Sequence, residues 1–141
     1  LYCATHYRSI EKTITLKNKN RIIKMALLAD EQVTAGRKDL SAVSAVESEE
    51  LIKSLPDWAI VKEDDVDKLK REYRFNDYLT LLALTKKIGN IAEQVNHHPV
   101  IITEWGKVTV LWWTHTIAGL HRNDFIMAAR CDRAAMLVSA P

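Results

Sequence analysis

Apolar and polar residues recur along the chain with two different periods, and each period predicts a different element. Tyr78, Leu81, Leu82, Thr85, Ile88, Ala92 and Val95 return at helical spacing while Lys86 and Lys87 turn away, which predicts a long amphipathic helix capped by Asn76. Pro99 disfavours helix at His98, so this helix should end about there. A two-residue period governs Lys68 to Phe75, where Leu69, Arg71, Tyr73 and Phe75 share one face and Lys70, Glu72 and Arg74 take the other. Trp58 to Val61 reads as a short strand before it, with a turn at Glu63-Asp64-Asp65 between the two. Val100 to Trp105 and Val108 to His115, on either side of Gly106-Lys107, read as an antiparallel hairpin rich in β-branched and aromatic residues.

Two further helices complete the pattern. Ser44 or Ser48, followed by Glu47, Glu49 and Glu50, predicts a capped start; Leu51, Ile52 and Leu55 form the stripe, and Pro56 ends it. Ala118-Gly119-Leu120 turns the chain into a last helix with Asp124 in its first turn and Phe125, Ala128, Ala129 and Met136 as a weak apolar stripe. The order helix, strand, strand, helix, strand, strand, helix predicts an α+β fold, a four-stranded antiparallel sheet with helices packed on one face.

Residues 1–43 stand outside this pattern. The first 25 carry Arg8, Lys12, Lys17, Lys19, Arg21 and Lys24 against one acid, Glu11, and Ile14, Leu16, Ile22 and Ile23 are too sparse to define a strand. Three readings are open for them: a transit peptide, a disordered or loosely attached extension, or residues foreign to a native start at Met25. Gly36 to Val46, rich in small and polar residues, reads as a connector. The division expected is a basic, polar extension over 1–43, dispensable for activity, and a single folded domain over 44–141.

Composition then narrows the function classes. The 141 residues are 48% hydrophobic and 27% charged, ordinary values for one globular domain. A formal charge of +2 is too mild for a nucleic-acid footprint, so no nucleic-acid partner is expected. No apolar run approaches the ~20 residues that cross a bilayer, so no membrane partner is expected either. Cys3 and Cys131 are far apart with no CxxC, which points to a reduced, cytoplasmic setting, or to an organelle if residues 1–25 are a transit peptide.

The candidate chemistry lies in Glu93-Gln94-Val95-Asn96-His97-His98-Pro99 and in Trp113-Thr114-His115, which together hold three of the five histidines. Histidine exchanges protons near neutral pH without tuning. Adjacent His97 and His98 point in different directions and rarely chelate one ion, so no metal is expected. Glu93 and His97, four apart, are spaced to pair on one helical face. His115 would share a strand face with Leu111 and Trp113, where a packed histidine bonded to backbone is the plainer reading. Neither cysteine lies near this cluster and no serine sits in a nucleophile elbow, which leaves acid-base chemistry.

The run Ala92 to Pro99, then Thr114-His115, Ala118-Gly119-Leu120 and Asp124, with Trp58 and the stretch Tyr73 to Tyr78, resembles the pterin-4a-carbinolamine dehydratases. The resemblance covers Ser44 to Val138. It implies dehydration of 4a-hydroxytetrahydrobiopterin to quinonoid dihydropterin in tetrahydrobiopterin recycling, by a homodimer or homotetramer without cofactor or metal. It implies His97 and His115 as the acid-base pair, His98 as an assisting residue that holds substrate, and Glu93 as the orienting carboxylate. Asn96, Trp113, Thr114, Thr116 and Asp124 would complete the pterin site. In animal members the same fold also serves as a dimerisation cofactor for a homeodomain transcription factor, so a non-catalytic partner is the alternative function. Two departures from the family pattern stand out. Ile101 takes the place of an aromatic residue, which leaves that pocket wall missing or supplied by Trp105 or Trp113. His121-Arg122-Asn123-Asp124 replaces a run beginning with an N-capping serine, which puts any Arg–Asp pair in doubt.

Overall fold

The computed structural model describes the backbone of residues 2–34 and 40–139, with side chains from Thr15 onward. In chain order the elements are α1 (Tyr2–Asp30), α2 (Ala45–Ile52), β1 (Ala59–Glu63), β2 (Val66–Arg74), α3 (Tyr78–Val95), β3 (Val100–Glu104), β4 (Lys107–Trp112) and α4 (Arg122–Ser139). The strands form one sheet in the order β1-β2-β4-β3, and each neighbouring pair is antiparallel, with Leu69 opposite Trp112 and Ile101 opposite Val110. This is the α+β architecture that the alternating periods predict.

The two faces of the sheet differ as the period of two requires. Leu69, Tyr73, Val108, Val110 and Trp112 are buried on the inner face. There they meet Leu81, Leu84, Ile88 and Ala92 of α3 and Phe125 and Ala128 of α4. The outer face carries charge pairs, among them Lys70 with Glu63 and Lys107 with Glu72. Gly106, at φ 85°, supplies the left-handed residue that the tight β3–β4 turn needs.

Several boundaries depart from the expectation. Asp77, not Asn76, caps α3: its Oδ1 accepts from the Thr80 N–H at 2.8 Å. Ser44 caps α2 by accepting from the Glu47 N–H. β4 stops at Trp112, and a Thr114–Gly119 bridge with a 3₁₀ turn over His115–Ile117 follows. His115 is therefore not on a strand face. His121 takes over the cap expected to be lost with serine, because its Nδ1 accepts from the Asn123 N–H at 3.0 Å.

The largest difference is at the N-terminus. Residues 2–30 are helical rather than an irregular extension, and Met25, Leu28 and Ala29 are buried in the core. α1 lies against α4, and α4 also supplies the partners its last turn lacks. Arg130 donates to the carbonyls of Ala29 and Glu31, and Arg133 to the carbonyl of Ala26 and to Asp30. The packed body thus begins near Met25, not Ser44. The expected connector from Gly36 lies partly outside the described residues.

Candidate functional site

The end of α3 places the first histidine. Asn96 adopts the left-handed conformation (φ 50°, ψ 42°), its N–H folding back onto the carbonyls of Ala92 and Glu93. Asparagine accepts this backbone more readily than most residues. The chain therefore leaves the helix axis before His97, and the four-residue spacing to Glu93 no longer brings the two together.

Instead, His97 Nε2 meets Asp124 Oδ1 at 2.7 Å. The Asp124 side chain is 0% exposed and that of His97 17%. The other carboxylate oxygen accepts from the Thr114 hydroxyl at 2.9 Å and from the His121 backbone N–H at 2.8 Å. A carboxylate with these three donors stays satisfied without water. The His97 ring also lies 5.1 Å from that of Trp112. An ionised Asp124 can only accept, so it holds the His97 proton on Nε2 and leaves Nδ1 as the ring's acceptor.

His98 and His115 sit nearer to solvent. His98 Nε2 is 2.9 Å from Glu93 Oε2, both side chains being exposed. The expected Glu93–His97 pair is thus corrected to Glu93–His98. His115 stacks on Trp113 with centroids 4.4 Å apart and planes 10° from parallel, and Lys68 Nζ lies 4.4 Å from the Trp113 ring.

A cavity of about 450 Å³ joins His97, His98 and His115 with Asn96, Thr114 and Thr116. These are six of the nine residues expected there. The other three do not line it: Trp113 lies under His115, Asp124 is buried behind His97, and Glu93 pairs with His98. Trp105, 77% exposed beside Tyr78, supplies no wall either. Val33, Thr34, Leu40 and Asn123 also line the cavity. None of these four emerges from the sequence, because Thr34 and Asn123 are 89 residues apart and no motif links them.

A second cavity, of about 480 Å³, contains no histidine. At its base Asp132 Oδ1 accepts from Trp58 Nε1 at 2.9 Å and from the Tyr73 hydroxyl at 2.6 Å, while Arg71 Nη1 lies 2.7 Å away. Burial pushes the Asp132 carboxyl up against the opposing pull of Arg71, and burial raises the Tyr73 hydroxyl well above its usual range. These bonds tie Trp58, the residue before β1, to β2 and α4. Among the described residues no three His, Cys, Asp or Glu side chains converge to hold a metal ion, and no helix is long and apolar enough to cross a membrane.

Residues 41–134 match the family model described as pterin 4 alpha carbinolamine dehydratase. The chain is 46% identical over 113 residues to the Gloeobacter violaceus protein named "Putative pterin-4-alpha-carbinolamine dehydratase 1", covering 80% of this chain and 97% of that one. The fold is similar to the crystal structure of a transcriptional coactivator/pterin dehydratase from Brucella melitensis, with a TM-score of 0.63 and 25% identity over 67% of this chain and 99% of that one. A more distant similarity, with a TM-score of 0.48 and 20% identity over 56% of this chain and 89% of that one, is to a pterin dehydratase-like protein identified as a RuBisCO assembly factor in the alpha-carboxysome.

Proposed function

Because the chain belongs to the pterin 4 alpha carbinolamine dehydratase family, we propose that it dehydrates 4a-hydroxytetrahydrobiopterin to quinonoid dihydropterin and water, as a step in tetrahydrobiopterin recycling. The observation that supports this most is one cavity lined by His97, His98 and His115, with the buried Asp124 carboxylate fixed behind His97.

The reaction needs one proton delivered to the hydroxyl on C4a and one removed from N5. The C4a–O bond then breaks as the N5–C4a double bond forms, and the hydroxyl leaves as water. His97, its Nε2 proton held by Asp124, offers Nδ1 as acceptor and is suited to take the N5 proton. His115 is the complementary acid. His98, with Glu93, holds the substrate at the rim, and Asn96 and Thr116 offer it polar contacts. Thr114 donates its hydroxyl proton to Asp124, so toward the substrate it can only accept. No step calls for a metal or cofactor.

A homodimer or homotetramer in the cytoplasm is the setting we propose. The assembly is supported by apolar side chains on the open face of α3, with Leu79 77% and Leu82 42% exposed. The alternative, a non-catalytic dimerisation cofactor on the same scaffold, has no use for three histidines around one cavity. The purified protein should accelerate quinonoid dihydropterin formation from 4a-hydroxytetrahydropterin generated in situ. A rate equal to the uncatalysed one leaves the non-catalytic role.

A further inference from the structure

We propose that Val33 and Leu40, which precede the residues matched by the family model, form a substrate-binding wall of the histidine cavity, and that Asn123 positions its Val33 side. The inference rests on the dehydratase reading and adds to it how the substrate is gripped.

The wall is tied to α4 by bonds that only certain side chains can make. Asn123 Oδ1 accepts from the Thr34 N–H at 3.0 Å, and Asn123 Nδ2 donates to the Thr34 carbonyl at 3.1 Å. One amide thus satisfies both backbone groups of one residue. Aspartate lacks the donor and alanine lacks both groups. One residue earlier, Arg122 grips both oxygens of Glu31, at 2.7 and 2.9 Å, and reaches Glu47 at 3.0 Å. These bonds to Glu31 and Glu47 hold the guanidinium firmly protonated. Val33 therefore lies between two anchored residues, Glu31 and Thr34, and Leu40 lies three residues before Val43, whose N–H donates to the Leu120 carbonyl.

The wall is aliphatic. Val33 packs partly against the core and Leu40 is partly buried, and among the described lining residues there is no Trp, Tyr or Phe. A flat reduced pterin over the histidines would thus meet branched aliphatic carbon here, contact that adds grip without touching the bonds that change. Neither Val33 nor Leu40 carries a group that transfers protons. Their removal should weaken substrate binding and leave the chemical step nearly alone.

The test is steady-state kinetics with 4a-hydroxytetrahydropterin on the full chain, together with the dissociation constant for biopterin read from its own fluorescence. Asn123→Ala is expected to raise KM and the biopterin constant about tenfold, with kcat changed less than about threefold. Asn123→Asp should match it, since the Thr34 carbonyl again loses its donor. Leu40→Ala, which touches no bond of the fold, should raise both constants about threefold with an unchanged melting temperature. Unchanged KM and biopterin binding in Asn123→Ala and Leu40→Ala, with the wild type active, overturn the wall alone. So does a parallel loss of kcat and melting temperature at constant KM, which is a purely structural effect. A wild type without turnover overturns the dehydratase reading and this inference with it.

Discussion

His97 and Asp124, 27 residues apart, meet at 2.7 Å, and the same carboxylate accepts from Thr114 and from the His121 backbone. One buried side chain thus orients the candidate base and joins three separate segments. Asp124→Asn keeps the shape but removes the charge and exchanges an acceptor for a donor. It is expected to lower kcat by about 10²-fold, within the range for loss of an orienting partner. Asp124→Ala should also destabilise the fold by roughly 1–3 kcal/mol for each buried donor left unpaired. Rapid kinetics and denaturant unfolding separate the two effects.

His97→Ala and His115→Ala should each reduce turnover by about 10²- to 10⁴-fold, the usual contribution of a positioned acid or base. The effect at His98 should be smaller, since its bond to Glu93 lies in solvent, where such pairs are worth about 0–1 kcal/mol. Wild-type rates in both the His97 and His115 variants would remove these residues from the mechanism.

Turnover and melting temperature should survive prolonged dialysis against a chelator. Activity lost to chelation and restored by zinc would show a metal requirement.

A chain beginning at Ser44 should be markedly less stable than the full chain, contrary to the expectation from composition. Its α4 would lose the cover of Met25 and Leu28, each worth about 1.5–3 kcal/mol when fully buried, and Arg130 and Arg133 would lose their partners. Equal denaturant midpoints for the two chains would show that α1 packing contributes little.

Asp132 provides a test by pH. Its carboxyl is raised by burial, so the folded protein holds that proton more tightly than the unfolded chain does. The resulting stability is fully present below the ordinary aspartate value, about 4, and is lost as pH rises through the higher native value. Asp132→Asn cannot ionise and keeps an acceptor for Trp58 and Tyr73. Its stability relative to wild type should therefore increase as pH rises from about 4 toward neutrality. Asp132→Ala should be the less stable of the two variants throughout, by roughly 1–3 kcal/mol for each orphaned donor. A difference between wild type and Asp132→Asn that is flat with pH would mean that burial does not perturb the carboxyl.

The sheet and α3 were legible because period-two and helical patterns each follow from burying one face. The gathering of three histidines followed from the family resemblance, since the residue pattern alone reads His115 as a packed strand histidine. The Glu93–His97 pair was misread because the spacing rule assumes helix through both residues, whereas Asn96 turns left-handed between them. α1 was missed for a different reason. Its apolar residues gather on no single face of the helix, and the three described residues in the core depend on a surface about a hundred positions away. A local window cannot see such a partner.

That separation also sets an order of events in the cell. Ala29 and Arg130, which bond across the α1–α4 contact, are 101 residues apart. At roughly 5–20 residues per second, α1 leaves the ribosome about 5–20 s before its docking surface exists. Through that interval Met25 and Leu28 have no α4 to cover them. The newborn chain must therefore be shielded by a chaperone or tolerate the exposure until its last helix is made.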